Sequence, residues 1–425
     1  MCAGVLLPAS SADAFQRGFT ITGWSADSYL APRSDDVLTR MAGDGSTHAA
    51  VFTQWFMDSP TSSSLAPDAQ RTPSDASILH AAATARAAGM AVTIKPQIGI
   101  RTGNWIGYAH PADLDAFWAD YRAMLLHYAD LAEQSSAEML VIGTEMATLS
   151  GDEAHWRPLI AEVRQHFHGK LTYAANYDEF ARVPFWDALD YVGIDAYFSL
   201  ADSSDPAPSA DALASAWTTR GYLAQIAAVS RRTGKQVLFT ELGYRGVHST
   251  AVHPNEWNAE DDIDVTAQAA AYSAFYQAVA DQPWMAGVYW WGIESDNWWV
   301  KDYSPVGKPA EDVMAAWNKR PSTPPPPSEM NPILMPAAPA IEIRVVGRRV
   351  VGSIARYRRE CGGRVGLRLR RKSHGRWRYV RPPRLLVLNA SGRFSQRLRQ
   401  RRLRVRAVFS SRCGRAASGW TSAAH

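Results

Sequence analysis

Along the first three-quarters of the chain, short apolar runs alternate with longer segments of helical spacing. The runs stand at Phe19–Gly23, Ala49–Thr53, Ala91–Pro96, Met139–Thr144, Leu171–Ala175, Tyr191–Asp195, Val237–Thr240 and Gly287–Trp291. Continuous hydrophobicity over so few residues predicts strands buried on both faces, as in a parallel sheet. Between them, apolar residues recur at three- and four-residue intervals, as at Leu114, Phe117, Trp118, Tyr121 and Leu125. That spacing predicts helices over Ser74–Ala88, Asp113–Glu133, Glu153–Phe167, Asp211–Arg232, Val265–Asp281 and Glu311–Trp317. Eight strand–helix units predict a (β/α)₈ TIM barrel over residues 15–320, with chemistry at the C-terminal strand ends. A doubly wound open sheet would alternate similarly, but GWSADSYL after the first run supplies no Gly-rich phosphate loop.

The pattern then changes. Residues 321–340 read as a Pro-rich, semi-rigid linker. Beyond it Val365, Leu367 and Leu369 alternate with Arg368 and Arg370, and Leu403, Val405 and Ala407 alternate with Arg402, Arg404 and Arg406. Period two predicts strands with one buried and one cationic face, hence a small all-β, sandwich-like domain over 341–425.

Charge divides the chain at the same place. The net charge of +4 over 425 residues hides a basic tail: from Ile341 to His425 there are 24 Lys and Arg against Glu342 and Glu360 alone. The tail is therefore at +22 and the rest at −18. An arginine face suits an anionic cell-wall polymer, nucleic acid or acidic polysaccharide, or merely keeps the domain soluble; no specific nucleic-acid signature accompanies it. Cys361 and Cys413 both fall in this domain, where a disulfide would compensate for a modest core. Residues 1–14 end in Ala12-Asp13-Ala14, a small-x-small pattern suited to signal-peptidase cleavage, so a secreted or wall-associated product is expected. No run is long enough for a membrane span, and a monomer is expected.

Two segments carry the candidate chemistry. VIGTEM and VLFTELG each end an apolar run in Thr-Glu, placing Glu145 at the tip of the fourth strand and Glu241 at the tip of the seventh. Three intervening units return the chain to the opposite side of the same rim. A pair of carboxylates there suffices to hydrolyse a glycosidic bond, with no metal or other cofactor. Trp24, Trp55, Trp105, Trp291, Trp298 and Trp299 follow strand ends, where indoles stack on pyranose rings or pack in the core. Asn176 and Asp195 end the fifth and sixth strands, able to bind sugar hydroxyls or orient the glutamates; Asp195 can equally be a structural acceptor. Tyr197 is positioned to donate to Glu241, and Lys95 is expected to meet Glu145 or a substrate hydroxyl. The histidines are scattered without a zinc-site spacing, and no G-x-S-x-G elbow occurs.

These segments, read together, also carry a resemblance. IKPQIGIRTGNWIG, VIGTEM, LTYAANYDEF, FWDALDYVGIDAYF, FTELGYRG, GVYWWGIESD and DYSPVGKPAEDV make the chain from about Phe19 to Trp317 resemble glycoside hydrolase family 113, whose characterised members are chiefly β-mannanases. The resemblance implies a retaining enzyme, with Glu145 as general acid/base and Glu241 as nucleophile. It implies endo-acting hydrolysis of β-1,4-mannan or glucomannan. A β-glucan hydrolase, a non-catalytic glycan-binding barrel and a wall-anchoring protein are the competing readings. Thr144 stands where many relatives of the clan carry Asn, and Gly292 where close relatives would carry a larger polar residue.

Overall fold

The computed structural model describes residues 15–258, 260–294 and 300–320, together with the backbone of nine strands between 341 and 422. The chain divides into two compact units, 1–320 and 321–425.

In the first unit eight parallel strands close into a barrel in sequential order. They are β1 (Gln16–Thr22), β2 (His48–Met57), β3 (Ala91–Ile100), β4 (Met139–Thr144), β5 (Lys170–Asn176), β6 (Val192–Asp195), β7 (Val237–Leu242) and β8 (Met285–Glu294). Helices α1 (Pro32–Gly43), α2 (Asp75–Ala87), α3 (Leu114–Gln134), α4 (Glu153–His166), α5 (Ala210–Thr219), α6 (Tyr222–Thr233), α7 (Val265–Ala278) and α8 (Pro309–Asn318) follow the strands. Ser74, Asp113, Asp152, Ser209 and Asp264 cap five helices by accepting a backbone N–H of the first turn, each worth about 1 kcal/mol. Helical spacing over Asp211–Arg232 predicts one helix, but Gly221 at φ 82° splits it into α5 and α6, because a left-handed residue cannot continue an α-helix.

Alternation along the strands sorts the side chains. Inward residues Ala50, Met139, Leu238 and Tyr289 fill the barrel floor with Tyr191 and Ala286. Outward residues such as Ile94, Leu140, Ile194 and Phe239 pack against the helices. Adjacent tryptophans of β8 part company: Trp290 stacks outward on Tyr272 at 3.6 Å and donates to Tyr276, while Trp291 meets Phe52 at the rim. No helix among the described residues is long and apolar enough to cross a membrane.

The second unit contains antiparallel strands β9 (Ile341–Val346), β10 (Arg349–Ile354), β11 (Arg364–Ser373), β12 (Arg376–Val380), β13 (Leu386–Val387), β14 (Arg393–Arg397), β15 (Leu403–Ser411), β16 (Gly414–Ala417) and β17 (Thr421–Ser422). One sheet has the order β14-β10-β9; the other is built on β12-β11-β15-β16, with β13 beside β11 and β17 beside β15. Pairing of β11 with β15 sets Arg368 opposite Arg406 and Arg370 opposite Arg404. Cys361, Cys413, residues 1–14 and the linker lie outside the described residues.

Candidate active site

Glu145 and Glu241 both emerge at the C-terminal mouth of the barrel, and in each case the strand departs from regular pairing just before the glutamate. The β4–β5 register shifts between Val141 and Thr144, and β7 shifts against β6 and β8 near Thr240. Such irregularities re-aim side chains. Here they bring consecutive residues inward: Thr144 lies 3.4 Å from Lys95 Nζ, Thr240 donates to Asp195 at 2.7 Å, and Glu241 meets Lys95.

At the β4 tip, Glu145 itself adopts φ 52°, a left-handed conformation that costs a residue with a Cβ about 1–2 kcal/mol. The turn is buttressed from β5. Glu145 N–H donates to the Ala174 carbonyl, and Met146 N–H donates to the Tyr173 hydroxyl, both at 2.8 Å. Tyr173 in turn donates to the buried Glu179. The half-buried Glu145 carboxylate receives one donor, Trp105 Nε1 at 2.6 Å. Burial and the neighbouring Glu241 charge push its pKa up to about 8, against the lowering effects of Trp105 and Lys95.

At the β7 tip both oxygens of Glu241 are held. Lys95 Nζ donates to Oε1 at 2.6 Å and the Tyr197 hydroxyl to Oε2 at 2.7 Å. Glu241 is 5% exposed, Lys95 1% and Asp195 not at all. Burial pulls the Lys95 ammonium down, but the charges of Asp195, 3.9 Å away, and Glu241 outweigh it and keep it protonated. Burial followed by the Glu241 charge raises Asp195 well above the usual carboxylate range, and the same two causes keep Tyr197 a donor. Three carboxyls thus share one ammonium. Glu145, whose nearest donor is a neutral indole, holds its proton into the neutral range.

The remaining residues singled out by sequence divide. Trp24, 41% exposed, packs on Phe52 at 4.9 Å, and Phe52 meets Trp291 at 5.7 Å; Trp291 also lies 5.4 Å from Lys95 Nζ. These form an aromatic rim across β1, β2 and β8. Trp105 serves Glu145 through its edge and meets Tyr108 through its ring. Trp55 does not join the site. It shares outward parity with Thr53, whose hydroxyl meets Tyr128, and it packs on His127 and Tyr128 of α3. Asn176 is turned to its own loop, donating to Asp178 and accepting from Tyr177 N–H. Lys95, expected near Glu145 or a substrate hydroxyl, bonds Glu241 instead. Trp298 and Trp299 lie outside the described residues.

Gly292 has a structural reason. At φ 80°, a Cβ there would come within 3.1 Å of Tyr303, so a larger side chain would be strained in both backbone and packing. Sequence reasoning overlooked Phe52, Thr240, Tyr173 and Glu179. The Thr of each Thr-Glu pair was the available signal for Thr240.

A search of curated proteins gives no match. The profile of Glycoside Hydrolase Family 113 matches residues 18–312. Among solved structures, a complex of a family 113 β-1,4-mannanase is 27% identical, with a TM-score of 0.65 over 72% of this chain and 100% of that one. A family 113 β-mannanase from Alicyclobacillus acidocaldarius, in complex with ManMIm, is 26% identical at the same TM-score, over 72% of this chain and 97% of that one. A barrel with two glutamates at its mouth, matched by the family profile over most of the chain, belongs to Glycoside Hydrolase Family 113 and is a glycoside hydrolase.

Proposed function

We propose that the barrel hydrolyses β-1,4-mannosidic bonds within mannan or glucomannan with retention of configuration. The observation that carries the reading is the unequal treatment of the two glutamates. Glu241, with both oxygens held by donors beside a buried ammonium, is the nucleophile; Glu145, raised to about 8, is the acid.

In the first step a Glu241 oxygen attacks the anomeric carbon while Glu145 gives its proton to the departing glycosidic oxygen. The product is a glycosyl ester on Glu241 and a free sugar end. Glu145, now a carboxylate, then takes a proton from water, whose oxygen displaces Glu241 from the anomeric carbon. Lys95 and Tyr197 fix the attacking carboxylate and accept its change of charge without solvent rearrangement. The aromatic rim of Trp24, Phe52 and Trp291 offers a stacking surface for the sugar chain. The mannose preference rests on the two family 113 mannanases to which the chain is similar.

Proton NMR of the first-formed product on β-mannan tests the reading. The β-anomer should appear first; the α-anomer first would sink the double displacement. Hydrolysis of β-glucan but not of mannan would leave the chemistry standing and replace the substrate.

The reading extends to secretion of a monomeric enzyme whose basic unit, bridged by Cys361 and Cys413, holds it to an anionic wall polymer. Support comes from the opening residues and the tail's charge. It comes also from the paired positions Arg368–Arg406 and Arg370–Arg404, since like charges opposite each other are unfavourable until an anion neutralises them. Retention of the full chain on a teichoic acid resin, lost steeply as salt rises, is expected; no retention at low salt would remove the anchor.

A further inference from the structure

The carboxyl of Asp195 makes one bond fewer than its position allows. It is fully buried at the tip of β6, where the register shift sets it across from Glu241 on β7. Thr240 donates to Oδ1 at 2.7 Å and fixes the group. Oδ2 has no hydrogen-bond partner among the described residues. Buried carboxyl oxygens are ordinarily paired, so an unmade bond beside two catalytic glutamates calls for a reason. Lys95 Nζ stands 3.9 Å from Oδ2, too far to bond, while it donates to Glu241 Oε1 at 2.6 Å and lies 3.4 Å from the Thr144 hydroxyl.

The reaction changes which carboxyl can use that cation. When a Glu241 oxygen becomes part of an ester, its negative charge leaves with the departing oxygen and settles on Glu145 as that residue gives up its proton. Lys95, 1% exposed, is then a buried ammonium whose bonded partner has become neutral, an arrangement that is costly. Asp195 is the other carboxyl in the same ion-pair group. Closing the gap takes a movement of about 1 Å at the end of a flexible stem that carries three rotatable donors. The same event improves the acceptor, because after burial it is the Glu241 charge that holds the Asp195 pKa up, and esterification removes that charge.

We propose that Asp195 is a positioning residue that receives the Lys95 ammonium while the sugar is held on Glu241. The N–H···Oε1 bond to Glu241 gives way to an N–H···Oδ2 bond to Asp195 as the ester forms, and the exchange reverses as water displaces Glu241. No proton changes owner in either direction. The proposal rests on the double-displacement reading. Pairing of Lys95 with Asp195 is absent in the resting site, partial in the transition states and complete in the glycosyl-enzyme. Its loss therefore acts oppositely on the two steps, slowing formation of the ester and quickening its breakdown.

The test traps the ester on the full-length enzyme with 2-deoxy-2-fluoro-β-mannobiosyl fluoride or its β-cellobiosyl counterpart, whichever labels Glu241. A Glu241 oxygen displaces fluoride from the anomeric carbon, and the fluorine at C2 delays hydrolysis. A crystal structure of the labelled enzyme should place Lys95 Nζ within about 3.2 Å of Asp195 Oδ2. A separation still near 3.9 Å overturns the proposal, and this arm needs no variant. In Asp195→Asn, Thr240 holds the amide oxygen and Nδ2 stands in place of Oδ2, a donor where the acceptor was. The ratio of the labelling rate to the rate of reactivation in water should fall by about tenfold to a hundredfold, the worth of one charge-assisted hydrogen bond, with reactivation itself faster than in the unaltered enzyme. Equal slowing of both steps is what a merely structural role would give, and it overturns the proposal, as do unchanged rates. Failure of both reagents to label Glu241 overturns the double displacement and this exchange with it; a label that forms without these changes overturns the exchange alone.

Discussion

The tips of β4 and β7 begin from nearly the same sequence, an apolar run ending in Thr-Glu, and arrive at opposite environments. Glu241 is buried with a donor on each oxygen, one of them a cation; Glu145 has a single neutral donor and a pKa pushed up to about 8. The divergence comes from what the neighbouring strands supply. Strand β3 contributes Lys95 and the segment after β6 contributes Tyr197, and both reach β7. The loop after β3 contributes only Trp105 to β4. A local motif thus locates a carboxylate, while the barrel's closure assigns its proton.

The largest expected effect attacks the β7 side. Glu241→Gln should lower kcat on every substrate by on the order of 10⁴-fold or more, because no other group can form the glycosyl ester. Measurable turnover of an aryl glycoside with a good leaving group would break the asymmetry at once. Glu145→Gln should cost about 10²–10⁴-fold on natural glycosides, the usual worth of a general acid, and far less on a dinitrophenyl glycoside. Equal losses on both would mean that Glu145 is not the acid. Lys95→Met should lower kcat by about 10²–10³-fold. It should also lower Tm, since it leaves Asp195 and Glu241 buried without their cation. A Tm that holds steady would show the ammonium to be dispensable.

The smallest effect is the most diagnostic of the β4 side. With Glu145 as the proposed acid, activity needs its proton, so kcat/KM should fall as pH rises through about 8. The Trp105 hydrogen bond favours the charged carboxylate, so Trp105→Phe should move that limb upward by about one pH unit. A downward or absent shift would contradict the geometry. Stability should move in the same sense, over a lower pH window. The folded state holds this proton where the unfolded chain, with its ordinary carboxylate, has released it, so stability falls as pH rises from about 4.5 to about 8.

Much of this was legible because buried strands and amphipathic helices have different periods, and eight alternations leave few architectures. The two glutamates were legible for the same reason, as charged residues ending apolar runs. Trp55 was misread because proximity to a strand end does not state which face a residue occupies. Only the parity it shares with Thr53 reveals that it packs on α3. Lys95 was recognised as needing a partner, but the choice between two carboxylates depends on register shifts that leave no mark in a single sequence. Gly221 was an available signal for the break between α5 and α6, hidden by continuous apolar spacing on either side.

The left-handed backbone at Glu145 bears on how this enzyme can be improved. Glycine adopts that conformation freely and asparagine more readily than glutamate, and either would also remove a carboxyl held above its ordinary pKa. A library screened for heat resistance alone would therefore enrich Glu145→Gly and Glu145→Asn, variants expected to fold better while losing most of the activity on natural glycosides. Thermostabilisation of this barrel has to be selected under turnover, with position 145 held fixed.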